Sequence, residues 1–210
     1  WAQSGYGLFL GYLGRAAEAS AHMRRALELD PDNPVLKEVT ISVLLAQREF
    51  EKAASEAQAM IKGSPADHDG YALAGQAWIE LSRYEEAIEA LTRSKETLPA
   101  HEPQGHKDTG FCSYIDTMLG IAYARQGNTD SGEEVLHRLT ELRERGAVSC
   151  VLLASLCFAL EKRDEGFAWL QKACKRRERD VLYLRTFPWF DDVRSDPRFE
   201  EILRIVGFPD

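Results

Sequence analysis

Apolar and small positions recur at helical spacing along Gly75-Gln-Ala-Trp78-Ile-Glu-Leu-Ser-Arg-Tyr84-Glu-Glu-Ala87-Ile-Glu-Ala-Leu91-Thr-Arg-Ser94, on both sides of a short polar break. The pattern predicts two amphipathic helices facing each other across a tight turn. Small residues fall at Gly75, Ala87 and Ser94 and bulky ones at Trp78, Tyr84 and Leu91. Small residues let two helix backbones approach, and large ones fill the space beside them.

The same order of sizes returns at a fixed step. Pro31, Pro65 and Pro99 stand 34 residues apart, and so do Ala19, Ala53 and Ala87. Gly120, Tyr123, Gly132, Leu136 and Leu139 continue the series, and Ala154, Cys157, Gly166, Leu170 and Ala173 repeat it 34 residues later. From Gly75 to Gly120 the step is 45, which is 34 plus an insertion of 11. The expected organisation is therefore five helix pairs over residues 1–178, at about 1–31, 32–65, 66–99, 113–146 and 147–178, with an insertion loop at 100–112. Residues 179–210 abandon the period and are expected to form a helical cap.

Local signals place the ends. Residues 1–13 and 16–29 read as the first two helices, stopped by Asp30-Pro31-Asp32-Asn33-Pro34, where proline ends one helix and suits the first turn of the next. The second pair runs from Pro34 to Gly63, with Phe50 and Ala53 opening its second helix, and the fourth resumes near Ser113. Glu134/Arg138 and Glu141/Arg145 are spaced for ion pairs on a solvent face. Asp196 is the expected cap of a last helix, with Pro197 in its first turn and Gly207 at its end.

This order of small, aromatic, small, large and finally proline over 34 residues resembles the tetratricopeptide repeat. The resemblance implies an all-α fold, a right-handed α-α superhelix of five helix pairs with capping helices at its C-terminal side. Phe167-Ala-Trp169-Leu-Gln-Lys-Ala173 and Phe190-Asp-Asp-Val-Arg194-Ser195-Asp196-Pro197-Arg198-Phe199 further resemble the closing segment of tetratricopeptide modules in larger bacterial proteins. Those proteins are winged-helix transcriptional regulators, nucleotide cyclases and serine/threonine kinases.

In the family, the first helix of each pair lines the concave surface where partners bind. Carried onto this sequence, that surface comprises Leu8 and Tyr12; Val35, Glu38, Ser42 and Leu45; Asp69, Gln76 and Ile79; Tyr114, Thr117, Ile121 and Arg125; and Val151, Ser155 and Phe158. Relatives that clamp a terminal carboxylate place asparagine where this chain has Leu8, Ser42, Gln76, Ile121 and Ser155, so that clamp is absent. The resemblance thus implies a protein or peptide partner held by apolar anchors. A rival occupant of the groove is the chain's own tail, with Tyr183, Phe187, Trp189 and Phe190.

Composition narrows the function classes. With 44% hydrophobic and 29% charged residues the chain is an ordinary globular one, and its net charge of −8 disfavours nucleic acid and anionic membranes as partners. No stretch approaches the roughly 18 apolar residues of a membrane span. Cys112, Cys150, Cys157 and Cys174 form no metal-ligand spacing, and unpaired cysteines favour a reducing, cytoplasmic compartment. The chain opens inside a helix, so Trp1, Tyr6 and Phe9 are expected to meet upstream sequence of a longer protein or, through an open N-terminal end, a second copy in a homodimer.

The chemistry-bearing patterns are thin. His101-Glu102-Pro103-Gln104-Gly105-His106 misses the helical zinc-protease spacing by one residue and contains proline and glycine. Gly5, Gly7 and Gly11 read as helix-packing glycines, not a dinucleotide loop. Adjacent acids such as Glu85-Glu86, Asp191-Asp192 and Glu200-Glu201 point in different directions on a helix. Neither a cofactor nor an enzymatic activity is expected. Lys172, Lys175, Arg176, Arg177 and Arg179 make a basic run that reads either as a docking patch or as a dipole-favoured helix end. The functional expectation is a protein-interaction module, with an intramolecular regulatory or oligomerisation domain of a bacterial signalling protein as the rival.

Overall fold

A computed structural model of the chain describes residues 2–98 and 110–208. Among the described residues there are helices and turns and no strand. Ten α-helices come in consecutive antiparallel pairs: α1 (Ala2–Tyr12) with α2 (Ala16–Leu29), α3 (Pro34–Ala46) with α4 (Phe50–Gly63), and α5 (His68–Glu80) with α6 (Tyr84–Thr97). They continue with α7 (Gly110–Gln126) and α8 (Thr129–Glu144), then α9 (Cys150–Ala159) and α10 (Arg163–Arg176). Two 3-10 segments, Arg179–Arg185 and Pro188–Val193, lead to α11 (Pro197–Val206).

The chain divides into two compact units. The first holds residues 1–97 together with 185–188, and the second holds 98–184 together with 189–210. The expected C-terminal cap is therefore shared out: four of its residues pack with the first unit and the rest with the second. In the first unit the leading helices α1, α3 and α5 lie side by side; in the second, α7 lies beside α9 and α11 packs on α10.

Each pair is closed by the same backbone device. One residue in every inner turn takes a left-handed conformation: Gly14, Arg48, Ser82, Gly127 and Glu161, at steps of 34, 34, 45 and 34 residues. The following amide then donates back to the carbonyl five residues earlier, as in Arg83 to Trp78 at 2.9 Å and Lys162 to Cys157 at 2.8 Å. This is the hydrogen bonding of a left-handed helix cap, and it reverses the chain in few residues. The entering ends are capped by side chains: Asn33 accepts from Val35 and Leu36, Asp67 from Gly70, Asn128 from Ser131, Ser149 from Val151 and Asp196 from Arg198.

The ladder of small residues lies where the helices touch. Ala19, Ala53, Ala87, Ala154 and Ala173 are fully buried. A β-carbon on Gly75 would sit 2.6 Å from Leu91 Cγ, and one on Gly166 would sit 2.4 Å from Phe158 Cε1. Ser94 keeps its polar group in this position by donating to the His68 carbonyl at 2.7 Å.

Three expectations are corrected. The fourth pair begins at Gly110, so the last residues of the presumed loop, Phe111 and Cys112, are helical. Arg138 pairs with Asp116 of α7 at 3.2 Å, reaching across its own hairpin where the spacing had suggested Glu134 along the same helix. A β-carbon on Gly5 would meet nothing, so only Gly7, against Met23, and Gly11, against Val43, lie at close helix contacts. Trp1, Pro99 and the histidines at 101 and 106 lie outside the described residues. No helix of the described residues is long and apolar enough to cross a membrane.

Candidate protein-interaction surfaces

The first helices of the first unit carry nine of the sequence-derived surface residues on α1, α3 and α5. Leu8, Val35, Glu38, Ser42 and Asp69 are half-buried, while Leu45, Gln76 and Ile79 are fully buried; the side chain of Tyr12 lies outside what the structure describes. Leu45 belongs to the core between α3, α4 and α5, where it packs among Ile41, Ala53 and Ala74. The accessible part of this face is thus its α1, α3 and α5 rim.

That rim is acidic. Burial pushes the Glu38 carboxyl up to about 7, and the nearby carboxylates of Asp69 and Asp67 push it further in the same direction. Burial also raises Asp69, against the lowering effect of His68, whose Nδ1 lies 3.2 Å from Asp69 Oδ2. Asp67, His68 and Asp69 bring one donor atom each within 4.8 Å of one another. One Asp67 oxygen is already engaged, accepting from the Gly70 amide to cap α5. Sequence reading had named Glu38 and Asp69 but not Asp67 or His68, whose role follows from the cap at the start of α5.

In the second unit the corresponding face is closed. Thr117, Ile121, Val151, Ser155 and Phe158 are buried, and Tyr114 and Arg125 are half-buried. What covers Tyr114 and Phe158 is the tail: the Trp189 ring lies 6.0 Å from Tyr114, and Phe190 lies 6.2 Å from Phe158 and 5.9 Å from Phe199. Phe158 also meets Phe167 edge-on at 5.1 Å. Trp189 is 3% exposed and Phe190 is fully buried. In the first unit, Thr186 and Phe187 are buried too, the Thr186 methyl lying 3.8 Å from where a β-carbon on Gly14 would sit.

The basic run sits at the end of α10. Lys175 and Arg176 occupy its last turn, Arg177 is the left-handed cap residue, and Arg179 opens the first 3-10 segment. All four are exposed, and the Lys172 ammonium lies 3.8 Å above the Trp169 ring. Cations suit this position, because unpaired carbonyls give a helix C-terminus partial negative charge. The four cysteines are free thiols, and burial pushes Cys157 up to about 12, so it is held as a neutral packing group.

Antiparallel helix pairs, closed by one left-handed residue at a 34-residue step and packed through a ladder of small residues, define a helical repeat protein. A tetratricopeptide repeat family profile matches residues 7–68 and again 39–102, so residues 7–102 carry tetratricopeptide repeats. No curated protein sequence matches it. Among solved structures it is similar to TTC0263, a thermophilic tetratricopeptide repeat protein of Thermus thermophilus, with 22% identity, a TM-score of 0.62, and coverage of 87% of this chain and 96% of that one. It is also similar to a tetratricopeptide repeat protein of Parabacteroides merdae (17% identity, TM-score 0.57, covering 97% and 82%) and to PilF of Pseudomonas aeruginosa (16%, 0.56, covering 97% and 96%). At these identities the likeness is one of fold.

Proposed function

We propose that the protein is an interaction module that recognises a peptide or partner domain on the first-helix face of its first unit, and that it works by docking, without catalysis. The observation that carries this is the half-buried trio Glu38, Asp67 and Asp69, in which burial and the charges of Asp69 and Asp67 raise the Glu38 carboxyl, on the helix that also carries Val35 and Ser42. Carboxylates held together in partial burial bind a cation at little further desolvation cost, because part of their hydration is already lost. The fitting partner is a segment with a lysine or arginine next to an aliphatic anchor. In this reading the five helix pairs serve as the structural repeats, and the basic run at Lys172, Lys175, Arg176, Arg177 and Arg179 is a solvated helix end.

Selection of displayed peptides on the intact chain tests the proposal. The expected sequences carry a basic residue, and Glu38→Lys or Asp69→Lys should weaken their binding at least tenfold, while charge reversal at Arg176 and Arg177 leaves it unchanged. Selected peptides without a basic residue, or binding indifferent to Glu38→Lys, would overturn it.

A second reading is an intramolecular regulatory or oligomerisation domain of a larger bacterial signalling or transcription-regulating protein. The tail lying over Tyr114 and Phe158 favours it, since that contact shows the chain engaging its own surface. A winged-helix, cyclase or kinase domain encoded directly upstream of Trp1 would support this reading over the first.

A further inference from the structure

The first unit carries a groove of about 510 Å³ that runs along α6, the second helix of its pair, over two residues of α5. Its floor is aromatic. Tyr71 and Trp78, both half-buried, stand seven residues apart on α5, which is two turns or about 10 Å. Its wall is a stripe of α6, where Glu86, Glu89, Ala90, Arg93 and Glu96 fall at helical spacing. None of these seven residues is among the first-helix positions that face partners in the relatives.

The residue that leaves the groove open is small. At the repeat step Ala90 answers to His22, Glu56, Val135 and Trp169, and it is the smallest of the five. In the fifth pair Trp169 fills this place, with the Lys172 ammonium 3.8 Å over its ring. In the third pair the rings come from the floor and the carboxylates from the wall. Arg83 donates to Glu86 while its guanidinium carbon lies 5.5 Å over the Trp78 ring, and Arg93 pairs with Glu96 at 2.9 Å. Glu89, exposed between those two pairs, has no ion-pair or hydrogen-bond partner among the described residues. The groove therefore holds one carboxylate that no cation neutralises.

The cation that fits beside a ring and a carboxylate is a guanidinium. It is planar, so one face stacks on the ring while its edge donates to the carboxylate, and it is more weakly hydrated than an ammonium. Arg83 already makes this arrangement with Trp78 and Glu86. Arg198 repeats it in the second unit, 4.0 Å over the Phe167 ring and donating to Asp164 at 2.7 Å. We propose that the groove of Tyr71, Trp78 and Glu89 is a docking site for an arginine side chain presented by an extended segment of a partner protein. A segment is required because the wall from Glu86 to Glu96 spans about 15 Å, more than one side chain fills, so the neighbours of the arginine lie along the rings. The groove shares no residue with the acidic rim of Glu38, Asp67 and Asp69 and does not rest on that reading.

The probe is the amidated peptide N-acetyl-Ala-Leu-Arg-Leu-Ala, titrated into the intact nitrogen-15-labelled protein. The signal followed is the indole N–H of Trp78, assigned by its loss in Trp78→Phe. The titration is made on the unaltered chain and on Glu38→Lys, in which the acidic rim is disabled. A saturable shift is expected in both, with at least tenfold weaker binding when glutamine replaces the arginine of the peptide. Glu89→Lys, a change at an exposed position, should weaken binding at least tenfold as well. No saturable shift, equal affinity for the glutamine peptide, or binding indifferent to Glu89→Lys overturns the proposal. A shift lost in Glu38→Lys would assign the binding to the acidic rim, overturning the groove and leaving the first reading in place. N-acetyl-arginine amide binding as tightly as the peptide would show a free guanidinium compound as the ligand and overturn a partner segment.

Discussion

The carboxylate of Glu178 accepts a hydrogen bond from the backbone nitrogen of Cys150 at 2.7 Å, so a residue just beyond α10 closes the N-terminus of α9. The same carboxylate accepts from Ser149 Oγ at 3.2 Å and from Arg143 Nη2 at 2.8 Å. Arg143 and Glu178 are mostly buried, so removing one partner strands the other. Glu178→Ala should cost about 3 kcal/mol, by analogy with broken buried pairs. Glu178→Gln should cost about half as much, because its amide oxygen still accepts while the charge is gone. Urea denaturation of both variants checks this, and equal losses would show that the hydrogen bonds an amide can still accept contribute nothing beyond the charge.

The contact at Gly166 is the tightest of the ladder, with an added β-carbon 2.4 Å from the Phe158 ring. A ring cannot yield as the end of an aliphatic chain can, so Gly166→Ala should destabilise by about 2 kcal/mol despite alanine's better helix propensity. The reference is Gly63→Ala, where an added β-carbon meets nothing. A melting temperature for Gly166→Ala no lower than that of the reference would contradict the packing described.

Ser82 and Gly127 occupy equivalent inner turns with φ of 58° and 92°. A non-glycine residue there carries left-handed strain, while glycine carries extra unfolded-state entropy, and strain is the larger by about 0.5 to 1 kcal/mol. Ser82→Gly should therefore raise stability slightly and Gly127→Ala should lower it by about 1 kcal/mol. Opposite signs in thermal unfolding are the expected outcome.

Glu38 supplies a pH signature. Its folded carboxyl titrates near 7, above the ordinary value of 4.5, so its cost to folding is absent below that ordinary value and complete above 7. Such a shift on a fully buried group would carry about 3 kcal/mol, and screening of this half-exposed one leaves about 1 kcal/mol. Glu38→Gln should raise the melting temperature at pH 8 by about 2 to 4 °C and leave it unchanged at pH 4. An equal change at both values would remove the electrostatic explanation.

The helix pairs were legible because their signals are local. Asn33-Pro34 and Asp196-Pro197 set the starts of α3 and α11 through caps and proline, which depend on neighbours in sequence. The start of α7 was not legible, since Gly110, a poor helix former, opens its first turn. Nor were the left-handed turns at Arg48, Ser82 and Glu161, because side-chain type does not reveal a conformation imposed by hairpin closure. The small-residue ladder named the packed faces correctly. Whether Tyr114 and Phe158 would be open or covered depended on where the aperiodic tail lies, and period carries no information about a segment that lacks one.

Trp189 and Phe190 come later in the chain than every helix they cover in the second unit apart from α11. On the ribosome, α7 to α10 emerge with Tyr114 and Phe158 unshielded, and the first unit likewise awaits residues 185–188 after its six helices are made. Both units thus pass through an interval with uncovered apolar surface during synthesis, which lasts until residues 185–193 have been made and can fold back.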